Sequence, residues 1–159
     1  MNLLALSVWL LIGFADEPCQ TIETTVSGDS MEGILWNGQK ITAYTRACGV
    51  PNRYDHLLFT HPSKPNAIVK QIWGMPGDTL RIGDKNQLFI NSVEAKTPFG
   101  RPYILIRLAR NKLRMLEGKP LEGYLVLGHP GSEDSTRFGL IPAKSVLGYV
   151  KRDEPYAGN

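Results

Sequence analysis

"NAIVKQIWGMPGDTLRIGDKNQLFINS", residues 66–92, reads as strands separated by turns, and the class of the fold turns on it. Ile68 to Trp73 is rich in β-branched and aromatic residues and stops at Gly74. The turn that follows, Met75-Pro76-Gly77-Asp78, has a proline to preset φ and a glycine to accept a positive one. Asp78 is expected to cap or brace it. "DTLRIGD" and "NQLFINS" then flank a polar loop at Gly83 to Asn86, which predicts a hairpin.

The same pattern continues on both sides. "ITAYT" (41–45), "LLFTH" (57–61), "GYLVLGH" (123–129) and "SVLGYVKR" (145–152) are further short β-prone runs bounded by turn residues. Strands at such intervals predict a mainly β domain over residues 20–155. One segment, "RPYILIRLARNKLRMLEGK" (101–119), carries Ile104, Leu105, Leu108, Leu113 and Met115 at partly helical spacing. It predicts a small helical insertion between two strands, with its basic residues on a solvated face or against anionic lipid.

Alternation along a strand sends Ile68, Lys70 and Ile72 to one face and Val69, Gln71 and Trp73 to the other. Two readings of Lys70 follow. On an edge strand its stem covers apolar surface and its ammonium stays in water. On a buried face, desolvation lowers its pKa, and a neutral lysine can take a proton from a serine hydroxyl. A second stretch poses the matching question. In "TTVSGDSMEGILWNGQKITAY", residues 24–44, Ser30 is either a turn residue or a nucleophile. The three histidines, His56, His61 and His129, stand in no pattern that marks a base. Asp55 merely precedes His56, and His61 lies in the turn-like "THPSKP". The G-x-S-x-G elbow and the alternating helices of an α/β-hydrolase are absent.

Bulk properties narrow the field. The 159 residues suit one domain, and 42% hydrophobic with 21% charged residues is ordinary globular composition. A net charge of +3, scattered along the chain without interleaved aromatics, excludes the usual nucleic-acid signatures. Cys19 and Cys48 form no CxxC pair, so metal and thioredoxin-like readings lack support; one disulfide or two free thiols both stay open. "LLALSVWLLIGF", residues 3–14, is apolar and uncharged. As a helix it would span about 18 Å, short of the roughly 30 Å hydrocarbon core. Residues 1–15 are read as a signal or anchor segment, with a buried helix as the alternative; the basic n-region of a signal peptide is lacking. Trp36 and Trp73 read as packing or membrane-interface residues.

Three stretches taken together resemble, in order, the boxes of type I signal peptidases: "SGDSMEGILWNGQKI" (27–41), "IVKQIWGMPGDTLRI" (68–82) and "PLEGYLVLGHPGSEDSTRFGLIPAKSVLGYV" (120–150). The resemblance implies a Ser-Lys dyad protease on a β-rich scaffold of antiparallel sheets, without metal or cofactor. Ser30 matches the nucleophile and Lys70 the general base. The Ser30 N–H would contribute to the oxyanion hole. Gly28 stands where some members carry a helping serine, so any donor there is backbone or water. Met31 would floor the substrate groove, Ser132 matches a serine that hydrogen-bonds the lysine, and Asp134 matches an aspartate that braces the site. The short chain and altered boxes look most like the TraF-type conjugative transfer branch. That likeness implies an exported precursor such as pilin as substrate, hydrolysis or transpeptidation as outcome, and an inner-membrane enzyme facing the periplasm.

Three departures from the boxes stand out. Glu32-Gly33 replaces a pattern with proline at the second position, which predicts a less rigid turn after Ser30. Gly128-His129 replaces the usual Gly-Asp. Arg137 is displaced by one, with Thr136 at the arginine position, leaving an Asp134–Arg137 ion pair open. Two rivals follow from these points. One is a non-catalytic assembly component of a secretion or conjugation apparatus that keeps the scaffold. The other is a LexA-type self-cleaving repressor, which would need an N-terminal DNA-binding domain where this chain has its apolar run.

Overall fold

The computed structural model describes residues 17–97, 100–129 and 131–152. The apolar run at 3–14 lies outside these, and no helix among the described residues is long and apolar enough to cross a membrane. The chain runs β1 (Thr21–Thr25), β2 (Lys40–Tyr44), β3 (His56–Phe59), β4 (Ile68–Gly74), β5 (Leu80–Ile82), β6 (Leu88–Ile90), β7 (Val93–Glu94), α1 (Arg107–Leu113), β8 (Leu125–Leu127), α2 (Ser135–Phe138) and β9 (Val146–Val150). One antiparallel sheet has the order β1-β2-β9-β3-β4-β8, and a smaller one β5-β6-β7. The mainly β expectation therefore holds.

The stretch 66–92 folds as its pattern predicts. β4 is an interior strand: Lys70 opposes Leu57 of β3, and Gln71 opposes Leu127 of β8. Ile68 and Ile72 pack with Leu57, Phe59 and Val126, whereas Val69 packs against Val26, Met31, Leu35 and Ile41. Both faces of β4 are thus covered, and the exposed-edge reading of Lys70 fails. The turn after β4 closes on Asp78, which accepts from Met75 N (2.7 Å), Arg53 Nη2 (2.8 Å) and Asn91 Nδ2 (2.6 Å). The hairpin follows, with Leu80 opposite Ile90 and Gly83 N–H closing on Gln87 O at 2.8 Å.

The helical insertion is shorter than its sequence pattern predicts. Only Arg107–Leu113 is α-helical, followed by a 3-10 turn at Arg114–Leu116. Residues 103–105 run extended beside the small sheet instead, with Tyr103 N–H donating to Ala95 O (2.8 Å) and Leu105 N–H to Asn86 O (2.9 Å). Cross-strand partners satisfy this backbone, and Pro102 disfavours helix in the residue before it. The buried stripe is Leu105, Ala109 and Leu113, at i, i+4, i+8; Ile104, Leu108 and Met115 point outward. That stripe closes a core with Trp73, Leu80, Leu88, Ile90, Leu121 and Leu125, which joins the two sheets. Cys19 and Cys48 are joined as a disulfide, tying the approach to β1 to the 3-10 turn at Arg46–Cys48.

Candidate active site

Ser30 sits on a turn between β1 and β2 that two apolar side chains pin down. Met31 and Leu35 are buried among Val26 and Ile41, and Val69 of β4 packs on the same cluster. Both Ile34 N–H (3.0 Å) and Leu35 N–H (2.8 Å) donate to Met31 O, and Glu32 N–H donates to Asp29 O at 3.0 Å. This anchoring brings Ser30 against β4, where Lys70 Nζ lies 2.5 Å from Ser30 Oγ. Where a proline was expected, the turn is closed by these backbone hydrogen bonds.

Lys70 is 4% exposed, and its Nζ also donates to Val69 O at 3.1 Å. Burial pushes its pKa below the ordinary lysine value of 10.5, while the negative charges of Asp134 and Glu133 pull the other way. Desolvation is the larger effect, so the amine is biased toward its neutral, proton-accepting form.

The third side of the site is the end of β8 and the loop after it. Gly128 leaves no room for a side chain: a Cβ there would meet Ser132 Oγ at 2.6 Å, Ser30 O at 2.9 Å and Lys70 Cδ at 3.1 Å. Asp134 organises the loop. One of its oxygens accepts from Gly128 N–H (3.0 Å) and the Ser132 hydroxyl (3.0 Å). The other caps α2, accepting from Thr136 N–H (2.9 Å) and Thr136 Oγ1 (2.7 Å). Ser135 of α2 reaches back to accept from Val126 N–H at 2.9 Å, fastening the helix to β8.

The residues singled out in the sequence meet here in part. Ser30, Lys70, Met31, Ser132 and Asp134 surround one locus. Ser132 lies beside it, but its hydroxyl donates to Asp134, and among the described residues no bond from it to Lys70 is formed. Gly28 takes a φ of +88° and gives its N–H to Asn37 Oδ1 at 3.0 Å, so that donor is committed to closing the loop. Arg137 pairs with Glu133 at 3.2 Å and not with Asp134, and Lys64 meets the same carboxylate at 2.6 Å. The carboxyl of Glu133 is held below its usual range, first by its hydrogen bond with Lys64.

Two residues escape the sequence reading. Tyr103 packs against Trp73, with ring centroids 4.2 Å apart, and its hydroxyl donates to Gly128 O at 3.3 Å. Burial raises its pKa first, and the Asp134 charge adds to the effect. His129 donates its N–H to Ser30 O at 3.1 Å and has Nε2 at 2.8 Å from Glu32 O. The only sequence signal for His129 is that it replaces an expected aspartate. A cavity of about 260 Å³ opens beside Ser30, lined by Met31, Ile34, Trp73, Tyr103, Ile104 and Leu127 among others. Its mostly apolar wall meets the Ser30–Lys70 pair at one end, an arrangement able to hold an extended, weakly polar segment against a nucleophile.

A model of the family "Signal peptidase, peptidase S26" matches residues 2–152. The chain belongs to the signal peptidase S26 family. Among individual signal peptidases, the signal peptidase I of Bacillus caldolyticus is 29% identical over 146 residues, covering 79% of this chain and 74% of that protein. The signal peptidase I of Streptococcus pneumoniae is 33% identical over 100 residues, covering 62% of this chain and 47% of that protein. The crystal structure of a signal peptidase I from Enterococcus faecalis superposes with a TM-score of 0.42 at 24% identity, over 64% of this chain and 97% of that one. Family membership makes the chain a signal peptidase-type hydrolase, whose substrates as a class are preproteins.

Proposed function

We propose that the chain is a membrane-associated serine endopeptidase that cleaves exported precursors through a Ser30–Lys70 dyad. The observation that carries this reading is the 2.5 Å approach of a buried lysine amine to the Ser30 hydroxyl. In the neutral form Lys70 takes the Ser30 proton as Oγ attacks the scissile carbonyl. The Ser30 N–H, which has no acceptor among the described residues, is the donor available to the developing oxyanion. Protonated Lys70 then returns its proton to the leaving amine, and an acyl-enzyme on Ser30 remains for water to hydrolyse. Met31 and the apolar wall of the adjoining cavity hold the acyl side of the substrate. Asp134 acts at one remove, by fixing Gly128 and Ser132 against the lysine stem.

The finer substrate reading rests on the altered boxes: a pilin-like precursor of conjugative transfer, with transpeptidation available if a substrate amine replaces water. Trp36, 57% exposed on the turn that carries Ser30, suits an enzyme that meets its substrate at a membrane surface. The periplasmic face of the inner membrane is the matching location. The test is co-expression with candidate exported precursors, reading the new termini by mass spectrometry. Ser30→Ala and Lys70→Ala should each abolish cleavage with an unchanged circular dichroism spectrum. Near-normal cleavage by Lys70→Ala would sink the dyad, and no processing of any precursor would favour the non-catalytic assembly role.

A further inference from the structure

Gly33 stands where the family resemblance leads one to expect a proline, and His129 where it leads one to expect an aspartate. The geometry connects these two departures. Gly33 has a φ of +85°, which a proline ring cannot adopt, so ring stiffening is unavailable at this position. Two carbonyls of the same turn accept from a single residue instead. His129 N–H reaches Ser30 O at 3.1 Å, and His129 Nε2 lies 2.8 Å from Glu32 O. A carbonyl only accepts, so Nε2 carries the hydrogen in this contact. His129 is itself held at its base. The neighbouring Gly128 donates N–H to Asp134 at 3.0 Å and accepts the Tyr103 hydroxyl at 3.3 Å.

We propose that His129 is a positioning residue, a two-point clamp that sets the Ser30 turn in place of a proline. The inference rests on the reading of Ser30 as nucleophile. The two bonds orient the Ser30–Met31 and Glu32–Gly33 peptide planes, and with them the backbone that aims Ser30 Oγ at Lys70. The clamp is a donor and not a base: the Nε2 hydrogen faces Glu32 O, and Lys70 occupies the proton-accepting place at Ser30. A misplacement of about 1 Å at a reacting atom can cost about a hundredfold in rate, so a modest loosening of the turn is enough to register.

The test compares wild type with His129→Ala, His129→Gln and His129→Asn in the full chain. Acylation of Ser30 by an activated acyl ester is followed by intact mass across ester concentrations. His129→Ala should lower the limiting acylation rate about ten- to a hundredfold, with half-saturation moved far less. His129→Gln should recover most of the rate, because its amide nitrogen reaches the place of Nε2 without being basic. His129→Asn, too short, should not. A wild-type rate in His129→Ala, or a Gln variant as slow as Ala, would overturn the clamp. Failure of the dyad reading looks different: wild type itself would not be acylated at Ser30, or Ser30→Ala would react equally. If His129→Ala does not fold, long-range ¹H–¹⁵N NMR of the wild-type imidazole still decides. The Nε2–H form supports the clamp, and the Nδ1–H form overturns it.

Discussion

The turn at 74–79 and the turn at 28–35 flank the proposed dyad, yet they are held by different means. The first closes largely through its own Asp78, whose carboxylate takes the Met75 amide and ties in Arg53 and Asn91. The second has backbone bonds of its own at Asp29 and Met31, and adds side-chain contacts from outside itself. Asn37 closes its start, Val69 packs under it, and His129, 97 positions away from Glu32, holds its far carbonyl. The contacts from β4 and from the loop after β8 form only once those strands have assembled, which couples the geometry of Ser30 to global folding.

That contrast can be broken by substitutions, starting with the largest expected effect. Gly128→Ala forces a Cβ to within 2.6 Å of Ser132 Oγ and 2.9 Å of Ser30 O. Precursor cleavage should fall about a hundredfold or more, because position 128 and the Ser30 turn must move apart and draw Ser30 from Lys70. Wild-type cleavage by this variant would show that the second turn is not held from β8. Asp78→Ala should do the reverse. Losing a carboxylate that serves three donors should cost about 2–3 kcal/mol in urea unfolding, while the turnover of the folded fraction stays within a few-fold of wild type. Gly77→Ala is milder still. Its φ is +90° with open space around the missing Cβ, so only backbone strain of about 1–2 kcal/mol is expected, with native kinetics.

The smallest effect sharpens the electrostatics rather than the geometry. The proposed dyad requires neutral Lys70, whose folded pKa lies below 10.5, so on that proposal the rate should climb with pH through the lowered value and level off before an ordinary lysine titrates. Glu133 raises the Lys70 pKa by its charge, so Glu133→Gln should move the ascending limb to lower pH. A limb that stays put would mean solvent screens Glu133 from the amine. The stability linkage has a definite sign. Between the lowered folded pKa and 10.5 the unfolded chain binds more protons than the folded one. The burial penalty on charged Lys70 is therefore fully present below the folded pKa and relieved as pH rises toward 10.5.

Much of the fold was legible because it is local. Strand runs of five residues or so between glycines and prolines located β2 to β6, β8 and β9, and the Gly83–Asn86 loop located the hairpin. Helical spacing misled over 101–106, where extended backbone found partners at Ala95 and Asn86 that no window of sequence displays. β1, "TIETT", is polar and lies at the sheet edge, so it carried no apolar pattern to read.

Residue types and their order therefore determined the β class, the turn at Asp78, the resemblance that picks out Ser30 and Lys70, and the family. Three matters fell to the tertiary structure. Cys19 and Cys48 became a disulfide because β1 and the turn after β2 lie side by side. Lys70 became a buried amine because β3 and β8 flank its strand. His129 joined the Ser30 turn because it donates to main-chain carbonyls, which every residue carries alike. Side-chain identity is written in the sequence, but burial and backbone acceptance are properties of where the chain is folded, and the chemistry of a lysine base depends on both.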